Sequence, residues 1–155
     1  MRTLNSAFGI GVLALALSTG AAACGPTVLE YHPSGINNAV GVDSDIKATP
    51  DRDHSLTQLE VKVRNLPAPS RFGDGNTAFV VWIRGNPSNP WTKIGTLAYN
   101  ASSREGDLVT SAAQNDFDLQ ITVEADPNPG SPSTNVILQQ RVGEAAPGPA
   151  AAGTS

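Results

Sequence analysis

The side chains that could perform acid, base or nucleophilic chemistry in this sequence are few and widely separated. The chain has two histidines, His32 and His54, and one cysteine, Cys24. A Ser–His–acid site needs a histidine beside a reactive serine, but His32 precedes Pro33 in a predicted turn and His54 lies in a polar segment. The Gly-x-Ser-x-Gly sequence that holds the nucleophile of many hydrolases is absent. We therefore interpret both histidines as surface residues and predict no catalytic residue.

Acidic residues offer no clearer site. The segment Asp43–Lys47 begins like a calcium-binding loop, but Lys47 occupies the third ligand position and no glycine follows it. Two separated histidines and one cysteine do not make a zinc site. We expect a solvated loop, with no metal and no cofactor, at the densest acidic cluster, which contains Asp43, Asp45, Asp51 and Asp53. We also expect water to surround three further acids, none of which we can assign as the acid or base of a hydrolase: Asp116, Asp118 and Glu124.

The first 23 residues have the features of an export signal. Arg2 gives a positive start, residues 8–17 are uncharged and apolar, and three alanines, Ala21 to Ala23, precede the predicted cleavage between Ala23 and Cys24. The apolar run is too short for a permanent span of a bilayer core about 30 Å thick. A retained membrane anchor is therefore the weaker interpretation of residues 1–23.

Cys24 occupies the position at which bacterial lipoproteins carry their lipid. The segment Ala21–Cys24 resembles the lipobox, although Ala21 stands where leucine is usual. The resemblance implies acyl chains on Cys24, a short tether over residues 24–26 and an extracytoplasmic protein anchored in the cell envelope. In a Gram-negative cell, Gly25 after the cysteine is compatible with sorting to the outer membrane. Ordinary Ala-x-Ala cleavage, which would release a secreted protein, fits the same residues.

Composition favours one turn-rich β domain. The 155 residues suit a single domain, only 15% of them are charged, and glycine and proline number 15 and 12. The net charge is −4, and lysine and arginine are scattered singly. Because no basic stripe is present to neutralise phosphates, we expect no binding to nucleic acid. The last twelve residues, 144–155, consist mostly of alanine, proline and glycine, and we predict a disordered tail.

Strand patterns recur between residues 27 and 143. Leu59, Val61 and Val63 alternate with polar residues, and residues 117–124 alternate in the same way. About seven short strands without helices predict an antiparallel immunoglobulin-like β-sandwich, to which segments 39–42, 45–49 and 91–99 would contribute. Trp82 is similar in position to the core tryptophan of immunoglobulin domains. The predicted core contains Leu59, Val61, Val63, Val80, Trp82, Leu97, Phe117, Leu119, Ile121, Val123 and Ile137.

Several short sequences also suggest a family. Three of them occur in this order: Val80-Val81-Trp82-Ile83, Ile94-Gly95-Thr96-Leu97 and Ile121-Thr122-Val123-Glu124. In their order and approximate spacing, the region from Leu59 to Ile137 resembles the extracytoplasmic C-terminal domain of anti-sigma-K factors. The resemblance implies a β-sandwich on the outer side of the membrane. We identify no sigma-binding domain in this sequence, so sigma-factor sequestration is not carried over.

The best candidate for contact with a partner is a proline-rich loop that ends in a tryptophan. An exposed tryptophan could stack on a sugar or on a partner protein, but the favoured interpretation of Trp91 is that it caps the core at a strand end. We predict a non-enzymatic envelope lipoprotein that binds an envelope protein or glycan. The alternatives are an extracytoplasmic hydrolase with an unrecognised site and a secreted β domain. The candidate loop residues are Asn86, Pro87, Asn89 and Trp91.

Overall fold

A computed structural model describes residues 25–143 of the protein. The predicted leader, Cys24 and the predicted tail lie outside the described residues. Two 3-10 helices, Asn37–Ala39 and Pro69–Phe72, accompany the strands. The strands within the described range are β1 (Leu29–Tyr31), β2 (Asp43–Asp51), β3 (Leu56–Arg64), β4 (Ala78–Arg84), β5 (Thr92–Thr96), β6 (Ala98–Asn100), β7 (Glu105–Ala112), β8 (Phe117–Glu124) and β9 (Val136–Val142).

These strands form two antiparallel sheets. One sheet has the order β1-β2-β3-β7-β6, and the other has the order β5-β4-β8-β9. Strands β2-β3-β7-β6 correspond to A-B-E-D of an immunoglobulin domain, and β5-β4-β8-β9 correspond to C′-C-F-G, with β1 added at one edge. The predicted all-β, immunoglobulin-like sandwich is confirmed.

The main core lies between the two sheets. The burial of strand β3 matches its sequence pattern. Its buried residues alternate with residues that face solvent, and the buried ones are Thr57, Leu59, Val61 and Val63. The facing sheet contributes large apolar side chains from β4 and β8, among them Phe79, which makes edge-on ring contacts with Phe72 and Tyr99. Removal of this apolar surface from water is the main source of stability. All eleven residues of the predicted core are buried.

Strand β4 is apolar on both parities because both of its faces are covered. Phe79, Val81 and Ile83 point between the sheets, whereas Val80 and Trp82 belong to a second cluster on the outer face. Trp82 is therefore buried, but not in the inter-sheet core where an immunoglobulin-type tryptophan would lie. The second cluster is completed by Ala78 and by the partly buried Trp91.

Some local predictions were wrong. Residues 39–42, predicted as a strand, instead contain the end of a 3-10 helix and a turn in which Gly41 has φ +90°. The predicted strand over 91–99 is divided at Leu97, where the chain passes from one sheet to the other. Leu97 still donates its backbone N–H to the carbonyl of Phe79, so the two sheets stay linked at this position.

The strand registers place both ends of the described chain at the same end of the sandwich. Asp51 pairs with Leu56 at the tip of the β2–β3 hairpin, and β1 enters the sheet with Leu29 opposite Ala48, close to that tip. Thr57 pairs with Ala112, after which the chain crosses to the start of β8, where Phe117 pairs with Val142. The end of β4 and the loop over residues 85–91 belong to this end too, since Arg84 pairs with Asp118.

Between residues 25 and 143 the structure contains no helix of the length and apolar character that a membrane span requires.

Candidate functional site

The outer face of the β5-β4-β8-β9 sheet differs from an ordinary solvated sheet face. Cross-strand pairing arranges its side chains in rows, of which one contains Lys93, Trp82, Gln120 and Gln139. Trp82 and Gln120 are buried although they point away from the main core. Within the described chain, no second sheet packs on this face, so loops of the same sheet must cover its buried side chains.

One covering segment is the connection between β8 and β9. Lys93 donates from Nζ to the carbonyl of Pro127 and to Oδ1 of Asn128, and Thr96 donates its hydroxyl to the same Pro127 carbonyl. Strand β4 lies between β5 and β8, so a loop that leaves β8 and reaches β5 side chains must cross β4. The crossing explains why Val80 is fully buried on this face.

A buried network of hydrogen bonds also connects the sheet to the loop between β8 and β9. The indole N–H of Trp82 donates to Oγ1 of Thr122 at 2.9 Å, and that hydroxyl contacts Oε1 of Glu124. The same carboxylate oxygen accepts the backbone N–H of Ser133 at 2.8 Å. Glu124 is 6% exposed, so the expectation that it faces water was wrong. Its partners supply the hydrogen bonds that a buried carboxylate requires.

Beside this covered region lies an open row of charged side chains. Nε of Arg84 lies 3.3 Å from Oδ2 of Asp118, and Nη1 of Arg141 lies 3.2 Å from Oδ1 of the same carboxylate. Arg141 also donates to the carbonyl of Gly85 at 3.3 Å. Asp118 is thus partly buried and occupied on both oxygens, which fixes the two guanidinium groups on either side of it.

Trp91 stands over the first of these arginines. Cζ of Arg84 lies 4.3 Å from the centroid of the Trp91 ring, a cation–π contact that orients both groups. Because Trp91 also packs on the second cluster, it is partly buried rather than fully exposed. The two interpretations of Trp91 therefore do not exclude each other, because the ring both caps a cluster and contributes to a surface cavity.

The remaining candidate residues of the loop have local structural roles. Oδ1 of Asn86 accepts the backbone N–H of Ser88, and the backbone carbonyl of Asn86 accepts the N–H of Asn89 at 3.0 Å. Asn86, Pro87 and Asn89 are exposed and form this self-bonded turn next to Trp91. None of the three lines the cavity described next.

The charged row and Trp91 surround a surface cavity of about 300 Å³. Its polar lining includes side chains from three strands, and Trp91 supplies an apolar wall. Ligand pockets commonly enclose roughly 300 to 1,000 Å³, so this cavity suits a small ring system rather than a large ligand. We call it the Trp91 cavity; its lining includes Arg84, Trp91, Asp118, Gln139, Gln140 and Arg141.

A larger cavity of about 780 Å³ lies beside the N-terminal segment. Leu29, Leu56 and Pro50 give it an apolar lining, and Pro26 and Thr27 form one wall. That wall precedes the first strand and is not held by sheet pairing. The Trp91 cavity, in contrast, is built from three paired strands and a fixed ring, so we treat it as the better-formed site.

Neither histidine lines the Trp91 cavity, and both are exposed. Nδ1 of His32 lies 2.7 Å from Oδ1 of Asp45, and Nδ1 of His54 lies 2.7 Å from Oδ2 of Asp51. The hydrogen bond from His32, with Arg64 on the second oxygen, lowers the pKa of Asp45. The hydrogen bond from His54 lowers the pKa of Asp51. Within residues 25–143 neither histidine is hydrogen-bonded to a serine.

The acidic cluster is also arranged differently from the predicted loop. Asp43, Asp45 and Asp51 belong to strand β2, where Asp43 accepts a hydrogen bond from Asn65, and Asp53 lies in the hairpin turn. In the described part of the chain, no three or more His, Cys, Asp or Glu side chains are grouped closely enough to hold a metal ion.

The sequence indicated Trp91 but missed the residues that complete its site. Arg84, Asp118 and Arg141 lie on three different strands and meet only through the registers of β4 with β8 and of β8 with β9. A partial signal was available, since Asp118 and Gln120 share the outward parity of strand β8. The cavity therefore follows from strand pairing rather than from any local motif.

Together these features define an immunoglobulin-like β-sandwich with an aromatic and charged cavity on the outer face of one sheet. No protein-family model matches the chain, and neither does any curated protein. The resemblance to the C-terminal domain of anti-sigma-K factors therefore stays a prediction.

Proposed function

We propose that this protein is a lipid-anchored envelope lipoprotein whose β-sandwich binds a saccharide of the cell envelope through the Trp91 cavity, without catalysing a reaction on it. The observation that carries the proposal is the fixed position of Trp91 over Arg84, beside hydrogen-bonding groups on β8 and β9. The extracytoplasmic location and the lipid rest on residues 1–24 of the sequence.

The chemistry of the cavity favours a saccharide. Sugar rings present both apolar C–H faces and hydroxyl groups, and a site for them needs an aromatic wall together with donors and acceptors. Trp91 supplies the wall, and Gln139 supplies an amide group that can both donate and accept. Arg84 and Arg141 add further N–H donors, so hydroxyl groups on several sides of one ring can be bonded.

Pre-organisation of the site supports specific binding. Asp118 holds both guanidinium groups, Gly85 accepts from Arg141, and Trp91 packs on the second cluster. Fewer side-chain rotations remain to be lost when a ligand enters, and affinity improves accordingly. The outer face of the opposite sheet also has a cavity, of about 290 Å³, but its lining contains no aromatic side chain and pairs charged residues such as Lys47 with Glu30.

Binding is favoured over hydrolysis by the surroundings of the histidines. His32 and His54 are each engaged by a neighbouring aspartate at the surface, and neither lines the Trp91 cavity. Each histidine therefore has the surroundings of an ordinary surface residue. The carboxylate in the Trp91 cavity, Asp118, is neutralised by two arginines and is a structural element of the row.

The first experiment determines the mass of the mature N-terminal peptide isolated from cells, for the wild-type protein and for Cys24→Ser. We expect a diacyl- or triacylglyceryl adduct on Cys24 of the wild type and its loss in the variant. A bare Cys24 would contradict the anchor and point to a secreted domain, and an uncut leader would point to a signal-anchored one.

The second experiment measures binding of the purified wild-type protein to a panel of envelope polysaccharides, alongside Trp91→Ala and Arg141→Ala. We expect each substitution to weaken binding at least about tenfold, the change that removal of one well-placed contact gives. Val109→Ala is the matched control, because Val109 is exposed on the outer face of the other sheet. Absence of saccharide binding, or equal binding by all four proteins, would refute the saccharide site.

A further inference from the structure

We infer that the Trp91 cavity selects an acidic saccharide and holds it through a carboxylate; the inference rests on the proposed function and names its ligand class. The starting observation is the charge of the row. Arg84 and Arg141 flank a single carboxylate, Asp118, so the row has one positive charge in excess. The whole chain has a net charge of −4, and a cationic site on such a protein favours an anion locally.

Both guanidinium groups also have N–H donors that make no hydrogen bond within the described residues. Within the described residues, Arg84 hydrogen-bonds only through Nε, and Arg141 only through Nη1. Each guanidinium has five N–H donors in a planar fork that matches the two oxygens of a carboxylate. Arg141 is the better placed of the two, since about half of its side chain is exposed whereas Arg84 lies against Trp91.

The size of the excess charge favours a carboxylate over a phosphate monoester. A carboxylate has one negative charge at neutral pH and balances the row, whereas a phosphate monoester has about 1.5 to 2. Hydrogen bonds between a guanidinium and a carboxylate are shorter and stronger than those between neutral groups. A uronic-acid type of ring would place its carboxylate on Arg141 and one face against the wall formed by Trp91.

Calorimetric titration of the full mature protein with oligogalacturonate and with its methyl ester tests this inference. The two probes share the same sugar rings, and the ester has a neutral methyl ester in place of each carboxylate. We expect the acid to bind at least about tenfold more tightly than the ester, and its affinity to fall as salt rises. Arg141→Gln should weaken binding of the acid much more than binding of the ester, so that the preference for the acid is lost. Arg64→Gln, which alters an arginine on the other sheet, should leave both affinities unchanged.

The outcomes separate the two proposals. Equal binding of acid and ester, or a preference that survives Arg141→Gln, would overturn the acidic ligand while the saccharide site stands. Binding only of neutral polysaccharides, lost in Trp91→Ala, would do the same. Tighter binding of a phosphorylated sugar than of oligogalacturonate would replace the carboxylate by a phosphate. Failure of every saccharide to bind would overturn both proposals.

Discussion

The substitution Thr122→Val tests whether the buried polar network holds the outer face of the β5-β4-β8-β9 sheet together. Valine has nearly the shape of threonine but lacks the hydroxyl that lies between Trp82 and Glu124. All three residues are at most 6% exposed, so water cannot easily replace the lost group. The change therefore removes hydrogen bonds without leaving an empty cavity.

The magnitude follows from the groups left behind. The indole N–H of Trp82 loses its acceptor, which costs about 1 to 3 kcal/mol for a buried group. Glu124 loses one hydrogen-bonding partner but keeps the backbone N–H of Ser133. We expect the free energy of unfolding to fall by about 3 kcal/mol. At about 4 °C per kcal/mol for a domain of this size, the Tm falls by roughly 12 °C.

Chemical denaturation followed by tryptophan fluorescence and by circular dichroism measures this difference. Thr96→Val is the matched control, because Thr96 lies on the same sheet face and donates one hydrogen bond to Pro127 at the exposed edge. We expect the control to cost less than about 1 kcal/mol. Equal losses for the two variants would refute the argument that burial makes the Thr122 network important.

Three further predictions concern other parts of the sandwich. Gly35→Ala should destabilise the protein by about 3 kcal/mol or more in thermal unfolding, since an added Cβ would lie 2.0 Å from a backbone oxygen. Gly130→Ala is the control and should be neutral or slightly stabilising, because nothing lies within 4 Å of its added Cβ. Equal effects of the two substitutions would contradict the close packing around Gly35. Tyr31→Phe should cost about 1 to 2 kcal/mol in denaturant titration, because the Tyr31 hydroxyl both donates to and accepts from the backbone of Gly143, and no loss would show that this link does not form. Because the pKa of Asp45 is lowered by folding, its stabilising contribution is present above the ordinary aspartate pKa of about 3.9 and is lost as pH falls through the lowered value. Unfolding measured between pH 5 and pH 2 should therefore show a smaller loss of stability for Asp45→Asn than for the wild type, and parallel curves would contradict the shift.

The sequence was most informative where one face of a strand meets the core and the other meets water. The alternation along β3 appears directly in its burial, so the predicted strand and its core residues are confirmed. The same alternation misled us at the end of β8. Glu124 occupies an outward position, yet the loop over residues 125–135 covers it. Periodicity reports which way a side chain points, but it does not report what lies above that face.

Local composition was less informative where the backbone path changes. Residues 39–42 are apolar enough for a strand, but Gly41 adopts a positive φ and turns the chain. The division of one predicted strand at Leu97 depends on the packing of two sheets rather than on its residue types. The Trp91 cavity depends on contacts between strands in the same way, since Asp118 meets Arg84 and Arg141 only through the paired register.

The segment before β1 lies at the same end of the sandwich as the Trp91 cavity, and its position limits what an anchored molecule could reach. Four residues, 25–28, lead to the first strand, and at about 3.5 Å each they extend no more than about 14 Å. On the proposed anchoring, the end that includes the cavity would thus be confined to a thin layer above the bilayer. For ligands in that layer, the tether would give the binding site a high effective concentration. For ligands beyond that layer, the effective concentration of the site would approach zero. Selectivity would then depend on height above the membrane as well as on chemistry, and lengthening the segment before Leu29 would change which ligands are met without altering a single contact in the cavity.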